Sequence, residues 1–260
     1  MNNLLIYIHW PFCQSKCPYC DFNSHVSDNI NHDAWAKSYL IELEHFAELT
    51  KGRPVTSVFF GGGTPSLMKT DTVGKILNHI SKLWPIERNC EITLEANPTS
   101  IEAGKFKGFK KAGINRVSVG VQALNDKDLK FFGRTHSANE ALAAVEVARN
   151  TFDRYSFDMM YARPGQSAKE WEEELSRALK YMDGHSSLYQ LTIEPQTPFY
   201  TRAKRGEFRM PEENLSAELY EVTESIMSGS GLEAYEISNY AKRGEESRHN
   251  MGYWRYQDYL

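Results

Sequence analysis

With 260 residues and a net charge of −4, the chain is long enough for one large α/β domain or two small ones. No block of five like charges occurs, so nothing suggests a nucleic-acid or membrane surface, and no nucleic-acid partner is expected. No uninterrupted apolar run approaches the roughly 18–20 residues a membrane span needs. A cytoplasmic protein without a transmembrane segment is expected, with peripheral attachment to a membrane left open.

Leu4 to His9 reads as a first strand, stopped by Pro11. His32 to Leu49 spaces Trp35, Tyr39, Leu40, Leu43 and Phe46 at helical intervals and predicts the first helix. Val55 to Phe60 is a continuous apolar strand that runs into Gly61-Gly62-Gly63-Thr64-Pro65-Ser66, and Thr70 to Leu83 is a second helix. The pattern repeats with strands at 91–95, 116–121, 154–161 and 187–193. Between them lie helical stretches at 100–111, 126–132, 138–149 and 167–181. Short apolar strands alternating with amphipathic helices predict an α/β protein of parallel βαβ units. Six units would curl into an open, partial (β/α)6 TIM-like barrel. Chemistry in such barrels sits at the C-terminal strand ends. That rule sends the loop after the first strand, the triple glycine, Asn97-Pro98, Gln122 and Asp158 with the 162–166 turn into one mouth.

Residues 1–200 are expected to form this barrel, and 201–260 to begin a second, C-terminal region. There a basic, polar stretch at 200–209 precedes a helix at 212–228 and an extended piece from Tyr235 to Tyr240. The chain ends in Tyr253-Trp254-Arg255-Tyr256-Gln257-Asp258-Tyr259-Leu260, with no helix cap or polar tail. Free ends are normally frayed and polar, so the expectation is a truncated chain whose C-terminal region is incomplete.

Three of the four cysteines, Cys13, Cys17 and Cys20, lie in the spacing C-x3-C-x2-C. Three thiolates on one short loop suit a [4Fe–4S] cube in which one iron stays open for an outside ligand. A zinc site would want a fourth Cys or His, usually in a second pair downstream. Three clustered cysteines cannot pair off as disulfides, and no signal peptide supports export. Cys90 stands alone at the head of an apolar run. The glycine run, between a strand and a helix, lets backbone N–H groups approach a charged ligand, although such a run also serves as a plain tight turn.

The cysteine spacing after an N-terminal strand resembles the signature of the radical S-adenosylmethionine (SAM) superfamily. Tyr7-Ile8-His9-Trp10-Pro11-Phe12-Cys13, Gly61 to Ser66, Glu95-Ala96-Asn97-Pro98 and Ser118-Val119-Gly120-Val121-Gln122 narrow the likeness. With Asp158-Met159-Met160-Tyr161 and Leu191-Thr192-Ile193-Glu194-Pro195, they resemble the oxygen-independent coproporphyrinogen III oxidase family, in order along the whole chain. The resemblance implies that Cys13, Cys17 and Cys20 hold the cluster. It also implies that Tyr7, Gly62, Gly63, Thr64, Glu95, Gln122, Arg134 and Asp158 line a SAM site, with Tyr19 near the adenine. Glu95 would face the α-ammonium, Arg134 the carboxylate, and Asp158 the ribose hydroxyls. Reduction of the cluster would pass one electron to the sulfonium and break the C5′–S bond. His9 is expected to orient the loop from behind.

Two features divide this family. The oxidases carry a further cysteine two residues past the last ligand, where this chain has Phe22, and a long N-terminal arm, where only 12 residues precede Cys13. Arg248-His249-Asn250-Met251-Gly252-Tyr253-Trp254 instead resembles the H-N-x-x-Y-W motif of HemW-like haem chaperones. The resemblance implies haem as a ligand, haem-accepting respiratory proteins as partners, and a homodimer as one possible form. His249, Tyr253 and Trp254 are the haem candidates, with Arg248 and Arg243 for the propionates, although a His-Asn pair more often makes a hydrogen-bonded turn. Tyr161-Ala162-Arg163-Pro164 departs from the commoner Gly-Leu-Pro and would put bulk and charge at the cavity edge. The rival readings are a true porphyrinogen oxidase and a structural iron–sulfur or zinc module.

Overall fold

The computed structural model describes residues 3–260. Strands β1 (Leu4–Trp10), β2 (Val55–Gly62), β3 (Ile86–Ala96), β4 (Arg116–Gln122), β5 (Arg154–Tyr161) and β6 (His185–Gln190) lie side by side in chain order. Every neighbouring pair among them is parallel. Helices α1 (His32–Leu49), α2 (Thr70–Leu83), α3 (Ser100–Ala103), α4 (Phe106–Ala112), α5 (Asp126–Phe131), α6 (Ala138–Arg149) and α7 (Ala168–Ala178) fill the crossovers. This is the expected six-unit partial barrel. β1 and β6 are not neighbours in the sheet, so it stays open.

Period-two alternation decides what each face of the sheet meets. On the helix side, Ile6, Ile8, Val58, Phe60, Leu94, Val117, Val119 and Phe157 are buried in the main apolar core. The residues between them face the lumen, and they are polar: Ser57, Glu91, Thr93, Arg116, Ser118, Ser156, His185 and Ser187 are all buried. Buried polar groups must find partners or lose the full desolvation energy. Here the hydroxyls bridge strands: Ser118 Oγ lies 2.8 Å from Ser156 Oγ, and Ser186 Oγ donates to Phe157 O at 2.8 Å.

The C-terminal residues complete the sheet. Helices α8 (Pro198–Lys204) and α9 (Glu213–Gly229) follow β6, α9 packing on α7 where Trp171 Nε1 donates to Thr223 Oγ1 at 2.8 Å. β7 (Glu233–Ala234) and β8 (Asn239–Ala241) then add antiparallel strands to the outer edge of β6. Helix α10 (Arg248–Trp254) crosses the N-terminal ends of the barrel strands. There Gly252 leaves no room for a Cβ beside Leu5 of β1. The last residues lie along the other free edge: Tyr7 N donates to Leu260 O at 2.8 Å and Leu260 N to Leu5 O at 3.0 Å.

Several expectations need correction. The helix expected over 100–111 is two helices, because the chain turns at Gly104 and lets buried Glu102 accept from Asn97 N at 3.0 Å. The sixth strand starts two residues earlier than expected and ends at Gln190, since β8 pairs back onto His185 to Ser187. Of the extended piece expected from Tyr235 to Tyr240, residues 235–238 link β7 to β8, and Asn239 and Tyr240 open β8. The polar stretch at 200–209 begins inside α8, whose Arg202 stacks over Phe131, Phe199 and Phe208. The aromatic terminus does carry a capped helix: the Ser247 side chain accepts from Asn250 N.

Glu91 fastens α10 to the barrel. Its carboxylate accepts from Ser247 Oγ at 3.3 Å and His249 N at 3.2 Å, and pairs with Arg154 at 2.6 Å. Burial works against the Glu91 charge, but Arg116, Arg154 and two backbone N–H groups outweigh it and hold the carboxyl below its ordinary range. Arg154→Ala would strand this anion, and removing one partner of a buried pair costs about 3–5 kcal/mol, less here because Arg154 is partly exposed. We expect a loss of about 3 kcal/mol by urea unfolding and faster proteolysis after residue 241.

Candidate cofactor site

The cysteine loop has almost no regular structure of its own, so its shape is imposed from outside. A two-residue parallel ladder joins Phe12–Cys13 to His25–Val26. His9 Nε2 lies 2.9 Å from Asn23 O, which fits the expectation that His9 orients the loop. Lys16 Nζ donates to Phe22 O and Ser24 O at 3.3 and 3.2 Å, and Phe199 N of α8 donates to Pro18 O at 2.9 Å. Arg134 reaches in from the opposite side, with NH1 on Cys17 Sγ at 3.4 Å and NH2 on Asn97 Oδ1 at 2.6 Å and Gly120 O at 3.0 Å. Burial disfavours this guanidinium, yet Tyr19 and Cys17 beside it outweigh that and raise its pKa.

Cys13, Cys17 and Cys20 are all half-buried free thiols that line one cavity of about 160 Å³ at the C-terminal strand ends. Gly62, Gly63, Thr64, Glu95, Asn97 and Gln122 line the same cavity, as do Arg134 and Asp158. Sequence placed these residues in one mouth, and the fold brings them together there. Among the described residues no three His, Cys, Asp or Glu side chains converge as one ion would require. A cube, whose cysteines each take a separate iron corner, asks for no such convergence, so the donor set fits it better than it fits zinc.

The glycine turn works differently from expectation. Gly63 N donates to Trp10 O at 2.7 Å and Thr64 N to Phe12 O at 2.8 Å, so these N–H groups hold the loop rather than a ligand. Gly62 has φ +110°, and a Cβ on it would meet the His9 ring at 2.6 Å; on Gly63 it would meet Phe12 backbone at 2.7 Å. Thr64 is buried and accepts from Asn97 Nδ2 at 3.3 Å. Gln122 takes φ +71° where β4 breaks register with β5, a left-handed backbone that is uncommon for non-glycine residues.

Glu95 and Asp158 form the cavity's acidic wall. Burial, then the charge of Asp158, push the Glu95 carboxyl up to about 8, against the pull of Gly62 N–H and Arg116. Asp158 is also raised by burial, with the hydroxyls of Ser118 (3.0 Å) and Ser187 and the Arg116 charge opposing. No salt bridge reaches either carboxyl among the described residues. Two enclosed acids without a direct cation define a place for one.

Other residues fall elsewhere. Tyr19 does not line the cavity; its ring packs on Phe132 (5.3 Å) and Phe199 (6.1 Å) and pins the loop to α5 and α8. Tyr7 lines a chamber of about 140 Å³ in the barrel lumen, which shares Glu95, Ser118 and Asp158 with the cysteine cavity. Its floor is α10. There His249 is buried, its Nδ1 2.8 Å from Ser57 Oγ and its Nε2 2.8 Å from Tyr253 OH, with its ring stacked on Phe59 at 5.0 Å. Burial pulls its pKa down to about 4. Tyr253 and Trp254 are exposed, while Arg248 bonds Asn89 O. Arg163 is not at the cavity edge: it is buried against Glu174, with Asp128 at 3.2 Å, on the outside of the barrel. Asn97, which the strand-end rule sent to the mouth without a binding role, and Ser118, which it did not place there, both line the cavity.

The close fit at Gly63 generates a prediction. Because the obstacle is backbone, Gly63→Ala must shift the cysteine loop, and anaerobic reconstitution should leave less than half the wild-type iron and sulfide per chain. Gly74→Ala, in α2 with its nearest neighbour 3.8 Å away, should bind iron normally and gain up to about 1 kcal/mol of stability.

Residues 7–178 match the radical SAM superfamily. Over 256 residues the chain is 42% identical to the haem chaperone HemW of Buchnera aphidicola from Schizaphis graminum, covering 98% of this chain and 67% of that protein. It is 38% identical to HemW of Escherichia coli over 259 residues, 99% of this chain and 68% of that one. To the mitochondrial radical SAM domain-containing protein 1 of Danio rerio it is 40% identical over 98% of this chain, but it spans only 58% of that relative's length. The structure of E. coli coproporphyrinogen III oxidase HemN superposes with a TM-score of 0.82 at 23% identity, over 94% of this chain and 57% of that one, which shows a shared fold. A radical SAM domain with the Cys13, Cys17 and Cys20 motif implies a [4Fe–4S] cluster and SAM. The chain belongs to the radical SAM superfamily and, within it, to the family of HemW and its mitochondrial radical SAM domain-containing relatives.

Proposed function

We propose that this chain is the radical SAM part of a haem chaperone, which binds a [4Fe–4S] cluster, SAM and haem and passes haem to respiratory acceptor proteins in the cytoplasm. Residues 1–200 form the cofactor-binding unit in this reading, and 201–260 begin the region that meets haem. The observation that carries it is Phe22. It lines the cysteine cavity with its ring 59% exposed, at the position where the oxidases carry a further cysteine.

Cys13, Cys17 and Cys20 hold the cluster, and SAM occupies the adjoining cavity. When bound, the cluster supplies one-electron reduction of SAM. Glu95 faces the amino group and Asp158 the ribose hydroxyls. Arg134 grips the loop at Cys17 and stands beside the SAM carboxylate. Gly62, Gly63 and Thr64 shape the wall, Gln122 closes it, and Tyr7 and Tyr19 support it from the lumen and the loop flank. Haem approaches α10, where Tyr253 and Trp254 are exposed and His249 is buried behind Tyr253.

The test is direct. Anaerobically reconstituted protein should bind haem with a Soret band and transfer it to an apo-acceptor, and should form no protoporphyrinogen from coproporphyrinogen with SAM and reductant. Porphyrin product with substrate-dependent 5′-deoxyadenosine would favour the oxidase reading instead. Alanine at Cys13, Cys17 or Cys20 should abolish the brown cluster absorbance. Cys90→Ala should leave it, since that thiol is buried in the core and pushed up to about 12.

The Glu95 carboxyl gives a pH signature. Its free-site pKa of about 8 falls when a cationic ligand arrives, so ligand binding releases a proton below that pH and tightens as pH rises toward it. SAM affinity measured from pH 6 to 8.5 should therefore climb more steeply for the wild type than for Glu95→Gln. The difference isolates Glu95 from the titration of SAM's own amino group.

A further inference from the structure

The lumen holds one cation that the site described so far does not use. Arg116 opens β4, points into the barrel and is only 3% exposed. It lines the small chamber whose other walls include Glu95 and Asp158. Its hydrogen-bond partners are all uncharged: Thr93 Oγ1 at 3.4 Å, Ser156 Oγ at 3.1 Å and His185 Nδ1 at 3.3 Å. Its Nε has no hydrogen-bond partner among the described residues. Because a guanidinium can only donate, His185 Nδ1 must be the acceptor. The His185 proton therefore sits on Nε2, which donates to Tyr235 OH at 2.8 Å, and the ring is neutral. Burial and the charges of Arg116 and Arg154 hold His185 well below its ordinary value, in agreement.

A buried arginine without an ion pair is costly and needs a reason. The surrounding titratable groups do not provide one by direct contact. Glu91 is in contact with Arg154 and α10 and not with Arg116, although the Arg116 charge helps to keep it ionised. His249 is held neutral by burial, and burial raises the hydroxyls of Tyr7, Tyr189 and Tyr253, so they stay protonated. What remains is the acidic wall above. One cation beneath two carboxyls leaves the enclosed wall one net negative charge when both are ionised. SAM, with its sulfonium, ammonium and carboxylate, brings one net positive charge. Without Arg116 the two acids would repel each other with no cation buried beneath them, and ionising both for the ligand would cost more.

We propose that Arg116 is the buried counter-charge that lowers the cost of ionising the Glu95 and Asp158 wall as the ligand arrives, and so is a positioning residue for SAM binding. This rests on the reading that SAM occupies the cavity above. Arg116 touches neither carboxyl; it acts through the field of a low-dielectric lumen.

The experiment measures SAM affinity of the reconstituted holoprotein between pH 6 and 9 for wild type, Arg116→Met, Arg116→Lys and Glu95→Gln. Arg116→Met should weaken binding about tenfold near neutral pH, the size of a one-unit rise in the carboxyl it serves, and recover toward the top of the range. Arg116→Lys should keep the wild-type profile. Arg116→Gln, which retains hydrogen bonds to the hydroxyls without the charge, is read in the same way should the Met variant not fold. An unmoved profile in the neutral variants overturns the proposal. So does a loss that is equal at every pH and not rescued by lysine, because that marks a purely structural role. If Glu95→Gln binds SAM as the wild type does, the cavity reading itself fails; if Glu95→Gln weakens binding while Arg116→Met does not, only the counter-charge fails.

Discussion

A parallel sheet of six strands cannot close on itself, and the two edges it leaves open are the constraint on which the rest of this molecule depends. Unpaired strand edges expose rows of donors and acceptors that must be covered or they recruit other chains. Here one stretch of chain covers parts of both. β8 lies antiparallel on β6, and the residues after α10 run beside β1, with Tyr7 N on Leu260 O. Getting from one edge to the other takes the chain across the barrel's N-terminal end, and α10 is that crossing. The helix with the His-Asn motif is thus placed by the topology of an open barrel before any ligand is considered.

That placement fixes the character of the lumen. A closed eight-stranded barrel fills its interior with branched apolar side chains. This one has a polar lumen, with carboxyls toward the cysteine mouth, an arginine in the middle and Glu91 at the base beneath α10. Apolar filling would be more stable against water, but it would leave no cationic ligand a counter-charge at the mouth. The arrangement keeps opposite charges in successive levels: Arg134 beside the thiols, Glu95 and Asp158 below them, Arg116 below those, then Glu91 with Arg154. Each level moderates the desolvation of the next.

Much of this was legible in the sequence, for reasons that differ by residue. α1 and α2 run between the residues expected because their apolar spacing is clean and proline or glycine ends them. The cysteines, Glu95, Gln122 and Asp158 met in one mouth because parallel βα units put every strand end on one side. What stayed hidden depended on contacts distant in sequence. The start of β6 is set by β8, some fifty residues later in the chain. The Gly63 and Thr64 N–H groups seemed free for a ligand, yet β1 and the loop that follows it claim them. Arg163 at the end of β5 looked like a cavity residue, but Glu174 on α7 draws it to the outer side. Pattern gives the element, and the partner decides where a charged side chain goes.

The same reasoning bears on His249. A free imidazole on a surface helix would be an open haem ligand, but this ring has both nitrogens bound and is buried against Phe59. To reach iron it must give up Ser57 or Tyr253, and only the Tyr253 side is exposed. Breaking the Nε2 contact frees the tyrosine and leaves Ser57 to fix the other nitrogen, which is the usual support for a metal-bound histidine. Loss of the Ser57 contact would instead pull the ring out of the lumen and disturb the Glu91 anchor on the His249 N–H itself. Haem on α10 is therefore compatible with an intact barrel only through Nε2, with Tyr253 as the group displaced. A ligand that came by way of Nδ1 would have to unpick the floor of the lumen beneath the cysteine cavity.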